Sequence, residues 1–198
     1  HHNALIALRN DLHKLNIPLL VFPADNYFAC NRSLQRIVIQ MNIRTLSFND
    51  EYEINEQQRD HEIVRWCRHQ KIQVKRYHDQ CIIPPGQLLN KQNQPYKVFT
   101  PFKEEWLQQY PAFARTPYPV PNIRAPHPEV EQLASLMADI PPLPESHDPL
   151  WTASEDAAHN ALTTFCDDLI EHYHYQRDIP ELYATSRLSP YLALGLIS

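Results

Sequence analysis

Arg44-Thr-Leu-Ser-Phe48 and Ile72-Gln-Val-Lys-Arg-Tyr77 bracket a helical run from about Asn55 to His69, and this arrangement decides the fold. The two flanking runs read as short strands. The run between them brings Ile63, Val64 and Cys67 onto one helical face. Strand, helix and strand in succession imply a parallel crossover. Working upstream, Leu34, Ile37, Val38 and Met41 mark the apolar face of a preceding helix. Leu19-Leu-Val-Phe22, between Pro18 and Pro23, reads as a further buried strand, and Leu5, Leu8, Leu12 and Leu15 give an opening helix. Downstream, Cys81-Ile-Ile83 reads as another strand. The order αβαβαβ predicts a Rossmann-like α/β domain over residues 1–110, a parallel sheet with flanking helices. It opens on a helix, so its first strand is expected to be missing from this chain.

Pro84-Pro85-Gly86 then makes a turn, and Phe102, Trp106 and Tyr110 share a helix face, where Trp106 and Phe102 read as core. Prolines crowd residues 111–150, which read as an extended interdomain linker with one helical turn around Val130–Met137. A new helix follows, with Thr152 as its N-cap and Glu155 completing a capping box. Ala158, Leu162, Phe165, Cys166, Leu169, Ile170 and Tyr173 continue it as one apolar stripe. Ser189-Pro190 begins a last helix, with Ser as N-cap and Pro in the first turn. That helix is apolar and uncapped where the chain stops at Ser198, so residues 151–198 are expected to open a larger, truncated helical domain.

Composition narrows the function. Of 198 residues, 43% are hydrophobic and 21% charged, as in ordinary globular chains. There is no run of about 18 apolar residues to cross a membrane and no secretory signal pattern. Cys30, Cys67, Cys81 and Cys166 form no close pair and read as buried free thiols, which suits a reduced, cytoplasmic setting. A net charge of −5 argues against a broadly basic, nucleic-acid-binding surface. With only two glycines there is no Gly-rich phosphate loop. The eleven histidines give no metal motif, and His172 and His174 lie two apart, on different faces of a helix.

One segment remains chemically suggestive. Thr185-Ser-Arg-Leu-Ser-Pro190 sets hydroxyls and free N–H groups at a helix start, which suits either a diphosphate or a well-capped surface helix. Its surroundings carry a resemblance. Trp151, Glu155 and Ala157, then Tyr173, Arg177, Asp178 and Pro180, then Thr185, Ser186, Leu188, Ser189 and Leu192 repeat the motif spacing of the class I DNA photolyase and cryptochrome family. Tyr52-Glu-Ile-Asn-Glu56, Arg59-Asp60, Pro84-Pro85-Gly86 and Tyr96-Lys-Val-Phe-Thr-Pro-Phe102 are similar to that family's antenna domain.

The resemblance is closest to bacterial, folate-using cyclobutane pyrimidine dimer photolyases. It implies light-driven DNA repair by reduced FAD, with a 5,10-methenyltetrahydrofolate antenna. It implies that Tyr173, Thr185, Ser186, Arg187, Leu188 and Ser189 bind FAD, that Asn55 and Glu56 contact the folate, and that Arg177 approaches the DNA backbone. On the residues alone, Asn55 could equally cap the helix over 56–69, with Glu56 favouring its dipole, and Arg177 could pair with Asp178. The resemblance further implies a monomer when full length, acting on damaged DNA with no metal and no membrane. It names no catalytic residue in this chain and implies that this piece alone is inactive. A cryptochrome-type blue-light receptor and a non-catalytic nucleotide-binding module are the alternatives.

Overall fold

The structure is a computed structural model that describes residues 2–114, 116, 118–126 and 151–197. The described elements are α1 (His2–Lys14), α2 (Tyr27–Gln40), β1 (Thr45–Asn49), α3 (Ile54–His69), β2 (Gln73–Tyr77), α4 (Phe99–Phe113), α5 (Glu155–Thr164), α6 (Tyr173–Gln176) and α7 (Ser189–Ala193). A π-helical turn, Phe165–Leu169, and a 3-10 turn, Ile170–His172, join α5 to α6. The chain forms two compact units, one of Phe22–Thr116 and one of His1–Val21 with Pro117–Ser198. The expected boundary at residue 110 therefore falls inside α4, and α1 groups with the carboxyl-terminal helices. Residues 127–150, including the expected turn at Val130–Met137, lie outside the described residues.

In the first unit β1 and β2 pair in parallel, with Leu46 opposite Val74 and Phe48 opposite Arg76. The crossover between them is α3, which packs against α2 and β2 and buries Asp60, Ile63 and Cys67. Ile37 and Val38 of α2 complete this core. The parallel sheet with flanking helices is thus as expected, but it has two strands among the described residues. Leu19–Phe22 and Cys81–Ile83 are not strands. A strand needs a neighbour to take its backbone groups, and among the described residues neither run has one. Nor does α4 bury Phe102, which is exposed. Trp106 is half-buried and stacks on Tyr110 along the helix's own surface, with centroids 5.2 Å apart.

In the second unit Ala158, Tyr191 and Leu196 form a small core, with Ala4, Trp151, Ala157 and Leu188 packed on it. The cap of α5 is Ser154 rather than Thr152: Ser154 is extended, and its Oγ accepts from the Ala157 amide at 3.2 Å. The Thr152 carbonyl instead accepts from the Ser154 amide in the preceding turn. The expected apolar stripe also breaks. The π turn rotates the following residues out of the α register, so Phe165 and Leu169 stay half-buried while Cys166 and Ile170 are exposed. Cys81 is exposed as well, and Cys67 alone of the four thiols is buried. Burial pushes the Cys67 thiol pKa up.

Four helices end the same way, and this accounts for a chain that manages with two glycines. After α1, α2, α3 and α7 the residues Asn16, Asn42, Lys71 and Gly195 are left-handed, at φ 56°, 49°, 58° and 68°. In each, the next amide (Ile17, Ile43, Ile72, Leu196) donates five residues back, to the Leu12, Val38, Cys67 or Tyr191 carbonyl, at 2.9 Å. These are Schellman closures with their apolar pair. The last helix, expected to be uncapped, is closed by Gly195. A Cβ built on Gly195 meets nothing within 4 Å, so Gly195→Ala should cost only backbone strain, about 1 kcal/mol or roughly 3 °C in Tm. Lys71→Gly removes the same strain but loosens the unfolded chain, and should raise stability by about 0.5 kcal/mol. Calorimetry on the two variants should give shifts of opposite sign.

Candidate cofactor-binding sites

A β-α unit brings the end of its strand and the start of its helix to one edge of the sheet, where parallel α/β folds receive ligands. Here that edge is the carboxyl end of β1 and β2. The Asp50 amide extends the ladder to the Tyr77 carbonyl at 2.8 Å. Its carboxylate lies 2.6 Å from Arg76 Nε and 3.7 Å from His78 Nε2. Tyr52 stacks on the His78 ring, and its hydroxyl lies 3.3 Å from Nδ1.

Asn55 and Glu56 sit just beyond, in the first turn of α3. Asn55 is not the cap. The helix begins at Ile54, and the extended Glu53 stands at the N-cap without a side-chain capping bond, so Asn55 is already helical and its exposed amide is free of any capping role. Glu56 is joined to α2, because the Tyr27 hydroxyl donates to its carboxylate. That bond, helped by its own backbone amide, holds the Glu56 carboxyl below its ordinary range. The Tyr27 phenol is correspondingly held above its own. Tyr27 is at this edge because Asn26 caps α2, accepting from the Ala29 amide at 2.9 Å, and makes Tyr27 the first helical residue.

Arg59 ties the cluster together. Its guanidinium lies 5.5 Å from the Tyr27 ring centroid, 2.6 Å from Glu51 and 2.7 Å from Asp60 Oδ1. Asp60 is almost wholly buried, and its Oδ2 has no partner among the described residues. Asn31 supports this arrangement by donating to the Arg59 carbonyl at 3.1 Å. Sequence reasoning did not find the part played by Tyr27. The available signal was Asn26, a good N-cap ahead of an apolar helix.

The second unit holds the other group. Thr185 to Ser189 form a turn pinned at both ends, by buried Ala184 and by Leu188 against the Tyr191 core. Trp151 packs edge-on to Tyr191 at 5.8 Å and so belongs to the same small core on which Leu188 packs. Ser186 Oγ accepts from the Leu188 amide at 3.4 Å. Arg187 is left-handed at φ 51°, and Leu188, which follows it, is right-handed at φ −81°. Such a reversal turns successive N–H groups to one side, a shape suited to anions. Ser189 is not the N-cap. Leu188 occupies that position without a side-chain bond, and Ser189 is the first helical residue. Thr185, Arg187 and Ser189 remain exposed. A short turn with exposed hydroxyls, a cation and anion-shaped backbone fits a diphosphate.

Tyr173 packs edge-on to Phe165 at 5.5 Å. The Arg177 guanidinium lies 5.8 Å from the Tyr173 ring centroid, and its Nε is 3.6 Å from Asp178. Both ends of that ion pair are exposed, so solvent screens it. The structure therefore realises the Asp178 pairing and leaves Arg177 accessible. Tyr173, Arg177 and the Thr185–Ser189 turn share one unit, whereas Asn55 and Glu56 belong to the other.

Fold and sites together define a parallel α/β unit with polar residues at its strand ends, and a helical unit carrying an anion-shaped turn. The family model of DNA photolyase matches residues 1–122, and the chain belongs to that family. The deoxyribodipyrimidine photo-lyase of Vibrio cholerae is 32% identical over 197 residues, covering 98% of this chain and 41% of the relative. That of Escherichia coli is 32% identical over 196 residues, covering 98% and 40%. A crystal structure of a class III photolyase from Agrobacterium tumefaciens superposes with a TM-score of 0.71 at 25% identity, covering 100% of this chain and 41% of the other. The chain thus spans about two fifths of the length of these relatives. No helix among the described residues is long and apolar enough to cross a membrane.

Arg59 is the partner that makes buried Asp60 tolerable. Arg59→Met should destabilise the chain by about 3 kcal/mol, since it leaves a buried carboxylate unpaired. Adding Asp60→Asn should recover a substantial part of that loss in urea unfolding.

Proposed function

We propose that the protein to which this chain contributes splits cyclobutane pyrimidine dimers in DNA by light, using FAD and a folate antenna. The observation that carries the reading is the pinned Thr185–Ser189 turn in a chain of the DNA photolyase family. When bound, FAD supplies the light-driven electron transfer. The chain's own residues bind and orient. Thr185, Ser186 and Ser189 offer hydroxyls, and Arg187 brings charge to the diphosphate. Tyr173 would be a further FAD-binding residue. Arg177 contacts the DNA backbone, fixing position and not sequence.

In this reading residues 1–110 are the antenna domain, 111–150 the linker and 151–198 the start of the FAD-binding domain. Asn55 and Glu56 hold 5,10-methenyltetrahydrofolate, whose pterin edge offers donors to a carboxylate and both donors and acceptors to an amide. The ionised state of Glu56 supports this. The four free cysteines support a reduced, cytoplasmic setting, and we take the protein to act as a monomer.

The test is to load the full-length gene product with FAD and illuminate it on a dimer-containing oligonucleotide. Dimer splitting is expected, and none from the 198-residue chain alone. Flavin photoreduction without splitting would favour a blue-light receptor, and no flavin retention at all would favour a nucleotide-binding module. Arg177→Ala should weaken binding to all DNA sequences by a similar factor and lower the salt slope by about 1.

A further inference from the structure

Arg187 holds an unusual position. It is a left-handed residue with a side chain, and its guanidinium carbon lies 4.2 Å from the centre of the Tyr183 ring. That is the closest arginine–aromatic pair among the described residues, the others lying at 5.5–6.0 Å. Arg59, Arg76 and Arg177 have carboxylate partners, but Arg187 has none among the described residues. An arginine held over an aromatic ring is attracted by the ring face, and a planar guanidinium keeps in-plane N–H donors for other partners. The side chain is therefore held while its hydrogen-bonding edge stays open.

We propose that Tyr183 is a positioning residue for FAD binding: its ring stacks Arg187 beforehand and presents the N–H edge of Arg187 to the diphosphate. This rests on the reading of Thr185–Ser189 as the diphosphate turn. An unstacked arginine loses much rotamer freedom when it grips an anion, and a stacked one has already lost it. Arg187 is left-handed, and its side chain reaches Tyr183, only four residues earlier. Tyr183 is itself 57% exposed, so its ring contributes little to the core and can be changed without unfolding the unit.

The experiment measures FAD affinity of the apo form of the full-length gene product by flavin fluorescence, for Tyr183→Leu, Tyr183→Phe, Arg187→Ala and the double variant Tyr183→Leu/Arg187→Ala. Arg187→Ala should weaken FAD about tenfold or more. Tyr183→Leu should weaken it about two- to fivefold, and Tyr183→Phe, which keeps the ring face, should match the parent. The double variant should be no weaker than Arg187→Ala, because Tyr183 acts only through Arg187. Parent-like affinity in Tyr183→Leu, or additive losses in the double variant, would overturn the proposal while leaving the diphosphate reading in place. An unchanged Arg187→Ala would overturn both.

Discussion

A parallel pair of strands cannot be joined by a tight turn. The chain must travel back over the sheet, and α3 is that return path. Everything at the candidate antenna edge depends on it. The crossover sets the amino end of α3 beside the carboxyl end of β1, which puts Asn55 and Glu56 beyond Asp50. It also carries Arg59 and Asp60 one turn further, to the point where α2 delivers Tyr27. The buried Asp60 is tolerable because Arg59 serves two carboxylates and an aromatic face at once. Packing and electrostatics are therefore not separable here: the helix that closes the sheet also assembles the polar cluster.

The alternation of strand and helix was legible because apolar periodicity reports burial directly. β1, α3 and β2 fall within a residue or two of their expected limits. The failures have a common cause. Leu19–Phe22 and Cys81–Ile83 have strand composition, but a strand is a relationship between two segments, and composition in one of them cannot supply the other. The capping errors are local competitions between near-equivalent residues. Thr152 and Ser154 are both good caps, and the extended backbone at Ser154 decided between them. The π turn left no mark in the apolar pattern, so Cys166 was read as core when it is exposed.

The sites divide along the same line. The Thr185–Ser189 turn stood out in the sequence through the specific motif spacing around it, whereas its hydroxyls alone suit a capped surface helix equally well. The companions of those residues were not legible. Tyr27 and Glu56 are 29 residues apart, and only the packing of α2 on α3 brings them into contact. Tyr183 is close in sequence to Arg187, but its role depends on one left-handed residue whose side chain gives no hint of that backbone.

The helix closures carry a further consequence. Three of the four use Asn or Lys where glycine would be easier, and the chain as a whole has two glycines against 18 prolines. In the native state this is a small strain at each closure. Before folding it works the other way. A chain with few glycines and many rings samples fewer backbone shapes, so there is less disorder to remove when the structure forms. Part of the stability of this fold therefore resides in no contact at all, but in the stiffness of the polypeptide that has yet to fold.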